Sequence, residues 1–271
     1  MSERHEANGL DVAGALTLLR NGDISVEGRL VDASNATLFC QICHDGVDAT
    51  CVYKPVAGER GLWDFPDGTL AGREVASHLV SEATGWGVVP PTVLREGPFG
   101  PGMVQLWVET DPDVELVDVV APNALPTGWL RVFDALGSGG QPVVLAHADD
   151  DRLRRMAVLD VVLNNADRKG GHVLPLPDGT VHGVDHGVTF HVETKLRTVL
   201  WGWAGEPLRE TELEVLQQLS SQLDGELGTA LGSLLTRAEV RATRRRIDRL
   251  ITDAHLPFPD EGWPAIPWPP F

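Results

Sequence analysis

The stretch that most restricts what this chain can become is Val158 to Phe190, VLDVVLNNADRKGGHVLPLPDGTVHGVDHGVTF. It reads as the end of an apolar helix, a polar loop, a hairpin turning at Pro177-Asp178-Gly179, and a second acidic loop at Asp185-His186-Gly187. Asp167 and Asp185 therefore leave regular structure close together, with a short hairpin able to fold the second back toward the first. Phosphoryl transfer uses such a pair, one carboxylate orienting a hydroxyl nucleophile and the other holding metal on the phosphates. Taken singly, Asp167 suits a helix terminus and Asp185 a turn, since aspartate is favoured in both places.

Asn165-Ala166-Asp167-Arg168, the position five after Asp167, and Val184-Asp185-His186-Gly187 together resemble the catalytic and metal-binding loops of the phosphatidylinositol 3-/4-kinase superfamily. The likeness is to type II phosphatidylinositol 4-kinases and their bacterial relatives, and more weakly to HipA-type toxin kinases. It extends over roughly residues 30 to 210. The resemblance implies an α+β, bilobal protein-kinase-like fold, with a β-rich N-lobe over 1–108 and a mostly helical C-lobe over 109–271. It also implies an ATP-dependent phosphotransferase using magnesium or manganese, with Asp167 as the catalytic residue and Asp185 and His172 as metal ligands. His172 stands where the family carries asparagine. Magnesium prefers oxygen donors, whereas neutral imidazole suits manganese, iron or zinc. The departure thus implies a weak second metal site, an ion other than magnesium, or a nucleotide-binding regulatory module with little turnover. Transfer of AMP on the same scaffold is a further alternative.

Toward the N-terminus, Asp11 to Arg20 reads as a short amphipathic helix stopped at Asn21-Gly22. Strand-like segments follow at Ile24 to Val31, Ala36 to Cys43 and Ala49 to Val56, an antiparallel meander. The resemblance sets its first turn, Asp32-Ala33-Ser34-Asn35, over the nucleotide phosphates. Period-two alternation puts Lys54 on the face opposite Tyr53. The next helix, Ala71 to Thr84, carries an apolar stripe of Val75, Ala76, Leu79, Val80 and Ala83, bordered by Glu74. A kinase needs a lysine held by a glutamate toward the phosphates, and the resemblance supplies Lys54 with Glu74; Glu59 and Glu82 compete for that role. Ala57 to Gly68 is a long loop, suited to closing over nucleotide or presenting substrate.

Val93 to Arg95 and Met103 to Val108 read as a hairpin. The resemblance makes Gln105, Leu106, Trp107, Val108 and Glu109 the adenine-binding hinge. Asp111 to Ala148, rich in proline, glycine and acid, is expected to link the lobes, with one short helix near Gly128 to Leu136. A helix over about Asp150 to Leu163 then delivers Asn165 and Asp167, with Asp160 as a structural hydrogen-bonding group. Beyond Phe190, Glu193 to Leu208 is the expected activation segment, with Trp201 and Trp203 sharing a face of extended chain. Helices are expected at Arg209 to Leu223, Glu226 to Leu235 and Ala238 to Ala254. Arg241, Arg244, Arg245, Arg246 and Arg249 read as a solvated face of the last. The tail from Leu256, with Trp263, Trp268 and Phe271, is too aromatic for a linker and is expected to pack back.

Composition narrows the partners. A net charge of −17 opposes broad binding to nucleic acid or anionic membrane, so no nucleic-acid partner is expected. The acceptor, whether protein, lipid or small molecule, stays open. No long apolar run is present and the N-terminus is polar, so a cytoplasmic location without a transmembrane segment is expected. Cys40-Gln41-Ile42-Cys43-His44 matches a c-type haem attachment pattern, but it lies in strand-like alternation, and buried thiols on a sheet are the better reading.

Overall fold

The computed structural model describes residues 10–30, 36–260 and 262–271. The turn over residues 32–35 lies outside them. Helix α1, Val12–Asn21, starts where the Asp11 carboxylate accepts from Gly14 N at 2.8 Å, and buries Ala15, Leu18 and Leu19. That apolar face lies on a five-stranded antiparallel sheet of β1 (Asp23–Arg29), β2 (Leu38–His44), β3 (Val47–Pro55), β4 (Thr92–Gly97) and β5 (Gly100–Leu106). Its order is β1-β2-β3-β5-β4. Asp45 and Gly46, with φ of 48° and 78°, make the tight β2–β3 turn. The resulting register sets Cys40 opposite Cys51, both inward with Ile42, Tyr53 and Val104, while Cys43 faces out. The two thiols of the Cys40–Cys43 motif thus lie on opposite faces of one strand, and the expectation of buried thiols fails at Cys43.

Helix α2, Leu70–Thr84, covers the other face of the sheet. Thr69 caps its N-terminus on Gly72 N, while the Glu59 carboxylate accepts from Leu70 N at 2.9 Å and Ala71 N at 2.8 Å. Gly85 ends it in the left-handed conformation. Arg73, 2% exposed, crosses to Glu239 at 2.5 Å and donates to Thr189 O at 2.6 Å, bonding the helix to both later parts of the chain.

Residues 117–148 depart from expectation. A second antiparallel sheet forms from β6 (Val117–Val120), β7 (Trp129–Leu136) and β8 (Pro142–Ala148), in the order β6-β8-β7. The segment expected as a helix near 128–136 is strand β7. Its bulky Trp129, Val132 and Phe133 favour a pleated surface, and Gly137 N bonding Gln141 O at 2.8 Å closes the hairpin that pairs it with β8.

Helix α3, Asp151–Leu163, is capped by Asp150 on Arg152 N. With α4 (Glu210–Gln222), α5 (Glu226–Gly232) and α6 (Arg237–Asp253) it encloses the largest apolar core, which Ala76 and Val80 of α2 also enter. Sheets in one half and helices in the other make the α+β, kinase-like arrangement that was expected. The arginines of α6 do not all face solvent. Arg246 donates to Val162 O and His191 O, and burial next to Arg245 pulls its pKa down to about 9. Trp201–Trp203 is a short 3-10 turn rather than extended chain; Trp203 is buried and donates to Asp149, and Trp201 donates to Ala265 O. The tail packs back as expected, Gly170 N bonding Pro270 O and Thr198 N bonding Ala265 O.

Candidate active site

The ion cluster in the cleft is assembled from three elements. Alternation on β3 turns Tyr53 into the core and Lys54 outward on the cleft side. Lys54 Nζ lies 2.7 Å from Glu74 Oε1 of α2 and 2.8 Å from Asp185 Oδ1. Glu74 is 1% exposed, and its other oxygen accepts from His186 N at 2.8 Å. Neither competitor pairs with Lys54: Glu59 caps α2, and Glu82 forms part of a small apolar hollow beside α1.

Asp167 and Asp185 are positioned by one buried network. Helix α3 ends at Asn164, whose φ of 55° turns the chain sharply. Asn165 then donates to Asp160 Oδ1 at 2.9 Å and accepts from Asp167 N at 3.0 Å. Arg168, fully buried, pairs with Asp160, also fully buried, at 3.0 Å. It also donates to Val184 O at 3.1 Å and to His186 Nε2 at 2.6 Å. Arginine can only donate, so His186 Nε2 accepts and the ring proton sits on Nδ1. That atom has no partner among the described residues. The hairpin of β9 (Val173–Pro175) and β10 (Val181–Gly183) joins the two loops. Gly183 is small by necessity, since a Cβ there would meet the Arg168 guanidinium at 3.0 Å. Asp185 itself adopts a left-handed φ of 62°, a conformation aspartate tolerates better than most residues.

Burial disfavours the Lys54 ammonium, yet the Asp185 and Glu74 carboxylates outweigh it and hold its pKa above the ordinary lysine value. In return the ammonium holds the Asp185 carboxyl well below the usual carboxylate range. Burial raises Asp167, against the pull of Lys169, whose amine is 3.6 Å away. His172 Nε2 lies 3.5 Å from Asp185 Oδ2, and burial lowers its pKa to about 4, so the ring is neutral at pH 7.

Those residues fit a divalent cation in part. Asp185 is ionised, while the neutral His172 ring accepts from Lys169 N through Nδ1 at 3.5 Å, so its Nε2 beside Asp185 carries the ring proton and would become a ligand only on changing tautomer. Among the described residues no group of three or more His, Cys, Asp or Glu could hold a metal unaided. A cation here would take its other ligands from phosphate oxygens and water, as magnesium does in nucleotide sites.

A cavity of about 660 Å³ runs from this cluster past Val52, Leu174 and Val184 to the segment Gln105 to Thr110. Of the expected hinge, Gln105 turns its amide onto Thr92 Oγ1 at 2.8 Å. The backbone N–H groups of Leu106 and Trp107 bond Pro91 O and Thr50 O, both at 3.0 Å. Trp107 also donates from its ring to Glu109 and stacks edge-on with Phe39, and Val108 is buried. All of these residues border the cavity, but the Gln105 amide and the N–H groups of Leu106 and Trp107 are already engaged. Sequence reasoning gave no role to His186 or Arg168, although both lie within the motifs it singled out, while Lys169, one of three lysines in the chain, was marked only by falling beside a proposed active-site loop. Arg197 lies in the expected activation segment without a role of its own, and the cavity wall from Glu59 to Phe65 belongs to the long loop expected to close over nucleotide or present substrate.

No protein-family model matches the chain. Protein Rv2133c of Mycobacterium tuberculosis is 50% identical over 263 residues, 94% of each chain. The chain belongs to the family of that mycobacterial protein. The fold of the chain is kinase-like: a Golgi casein kinase superposes with a TM-score of 0.54 over 89% of this chain and 73% of its own, at 15% identity. A Helicobacter pylori proinflammatory kinase aligns over 88% of this chain and 94% of its own at 11% identity, with a TM-score of 0.41, too distant to carry weight. No helix among the described residues is long and apolar enough to cross a membrane.

Proposed function

We propose that the chain is an ATP-dependent phosphotransferase related to the phosphatidylinositol 3-/4-kinases. The observation that carries this is the Lys54 ammonium held between Glu74 at 2.7 Å and Asp185 at 2.8 Å, at the mouth of a nucleotide-sized cavity that Asp167 also borders. Glu74 keeps the lysine extended toward the space where α- and β-phosphates would lie. Gln105 to Val108 form the adenine end, through their outline more than their hydrogen bonds. Asp185, with His172 beside it, would hold magnesium or manganese, which would neutralise phosphate charge. Asp167 accepts the proton of an acceptor hydroxyl, whose oxygen bonds the γ-phosphorus as the bond to the β,γ-bridging oxygen breaks and ADP leaves.

The test is metal-dependent turnover of ATP by the full chain. Asp167→Ala and Asp185→Ala should each abolish it, and turnover unchanged in both refutes the reading. ATP labelled at the α- or the γ-phosphate separates phosphoryl from AMP transfer. A second reading is favoured by one observation: an imidazole, not an amide oxygen, faces Asp185. On that reading the chain binds nucleotide as a regulatory module, and ATP raises its melting temperature without any transfer of phosphate.

A further inference from the structure

The row Lys54, Asp167 and Asp185 borders a second cavity of about 420 Å³, lying between Glu59 to Phe65, the start of α2, Gly187-Val188 and Arg197. We propose that this cavity is the acceptor site and that the acceptor is a small soluble molecule bearing both a hydroxyl and a carboxylate or phosphate. This rests on the phosphotransferase reading and adds the substrate class.

Size and anchoring support a small molecule. The volume falls in the range of small-molecule sites. Its outer wall is fixed: Glu59 bonds two backbone amides of α2, Asp64 pairs with Lys195 at 3.1 Å, and Phe65 lies against Arg73 and His191. Lys195 in turn sits 4.8 Å from the Trp263 ring, so the packed C-terminal tail supports the same wall. A protein surface or a bilayer would need an open groove where this wall stands.

Charge supports an anion. The carboxylates of the cavity are already engaged: Glu59 by amides, Asp64 by Lys195, Glu74 and Asp185 by Lys54, and Asp167 faces Lys169. The Arg197 guanidinium also lines it. Arg197 Nε donates to Ala166 O at 2.7 Å, which fixes that cation one residue from Asp167. A carboxylate or phosphate on the acceptor would meet Arg197 while its hydroxyl meets Asp167. The net charge of −17 does not oppose this, because exposed charges are screened beyond roughly 8 to 10 Å. The same net charge does disfavour a large anionic surface. The balanced step is ROH plus ATP giving RO-phosphate, ADP and a proton: the acceptor oxygen bonds the γ-phosphorus, the β,γ-bridging bond breaks, and the proton passes to Asp167.

The experiment gives the full chain γ-labelled ATP, manganese or magnesium, and one of four acceptor pools prepared beforehand. These are bacterial solutes under 1 kDa retained by an anion exchanger, the unretained solutes, desalted bacterial protein, and phosphatidylinositol vesicles. Labelled product other than inorganic phosphate should form only with the retained solutes. Arg197→Gln should raise KM for that pool at least tenfold with a smaller change in kcat, and Arg197→Lys should recover part of the loss. Both variants should keep the ATP-induced rise in melting temperature, which shows that they fold. Labelling of protein, vesicles or unretained solutes instead, labelling of no pool, or an unmoved KM in Arg197→Gln overturns the proposal. Failure of the unaltered chain to be stabilised by ATP is a different result, and it strikes the phosphotransferase reading itself.

Discussion

Replacing Arg168 by methionine should cost about 3 to 5 kcal/mol of stability, the usual penalty for leaving one member of a buried ion pair alone. Arg168 and Asp160 are both fully buried. Without the guanidinium, Asp160 keeps only Asn165 Nδ2 at 2.9 Å and Thr198 Oγ1 at 3.4 Å, both neutral donors. Val184 O and His186 Nε2 lose their donor too, and these residues flank Asp185. Asp160→Asn should cost a similar amount, since it strands the cation. The double variant Asp160→Asn/Arg168→Met buries no net charge, so it should fall short of the summed single effects by about 2 kcal/mol or more, within the usual range for residues in one network. Urea unfolding of the four proteins at pH 7 measures this, with slopes compared to confirm that the denatured state has not changed. A cost below about 1 kcal/mol for Arg168→Met, or additive single effects within about 0.5 kcal/mol, would refute the claim that this pair holds the two acidic loops together. A second readout follows from the geometry: Arg168→Met should lose ATP-induced stabilisation at temperatures where it is still folded.

His172→Asn restores an oxygen donor beside Asp185 and should raise turnover with magnesium relative to manganese; parallel assays with each ion check it, and an unchanged ratio counts against His172 as a ligand. Buried His78 has its pKa lowered to about 4, chiefly by burial. Between pH 6.5 and 4 the unfolded chain therefore takes up its proton first, and stability falls as pH falls, by up to roughly 3 kcal/mol from this group at ~1.4 kcal/mol per pH unit. His78→Gln, which can still donate to Val89 O, should remove that share of the slope in urea titrations across this window. Gly102→Ala would set a methyl 2.5 Å from the Tyr53 ring and 2.6 Å from Lys54 O. It should cost about 1 to 3 kcal/mol as overpacking and weaken nucleotide-induced stabilisation by displacing the strand that carries Lys54.

The elements that sequence reasoning located best are those whose cause is local. Asp11, Asp150 and Gly85 are caps with their own hydrogen bonds or backbone conformation, and α1, α3 and α2 begin or end where those residues say. The acidic loops were legible because their residues are contiguous with a turn between them. Strand β7 was not, because its conformation is decided by pairing with β8, and the hairpin that imposes this lies outside the segment itself. The burial of Arg246 is nonlocal for a similar reason. A run of arginines on one helix looks solvated until carbonyls from Val162 and His191 arrive from distant parts of the chain.

The same distinction explains why the proposed machinery divides as it does. Lys54, Glu74, Asp167 and Asp185 are four residues from three segments, and each could be named from its own neighbourhood. What makes them a unit is nonlocal: Arg168 reaching Val184 O and His186, and Glu74 accepting from His186 N. Glu74 thus bonds both Lys54 and the residue after Asp185. A shift of α2 cannot move the lysine without also moving the second acidic loop. Glu74 therefore ties Lys54 and the second acidic loop to α2, and the Arg73–Glu239 pair ties α2 to the helical half of the molecule.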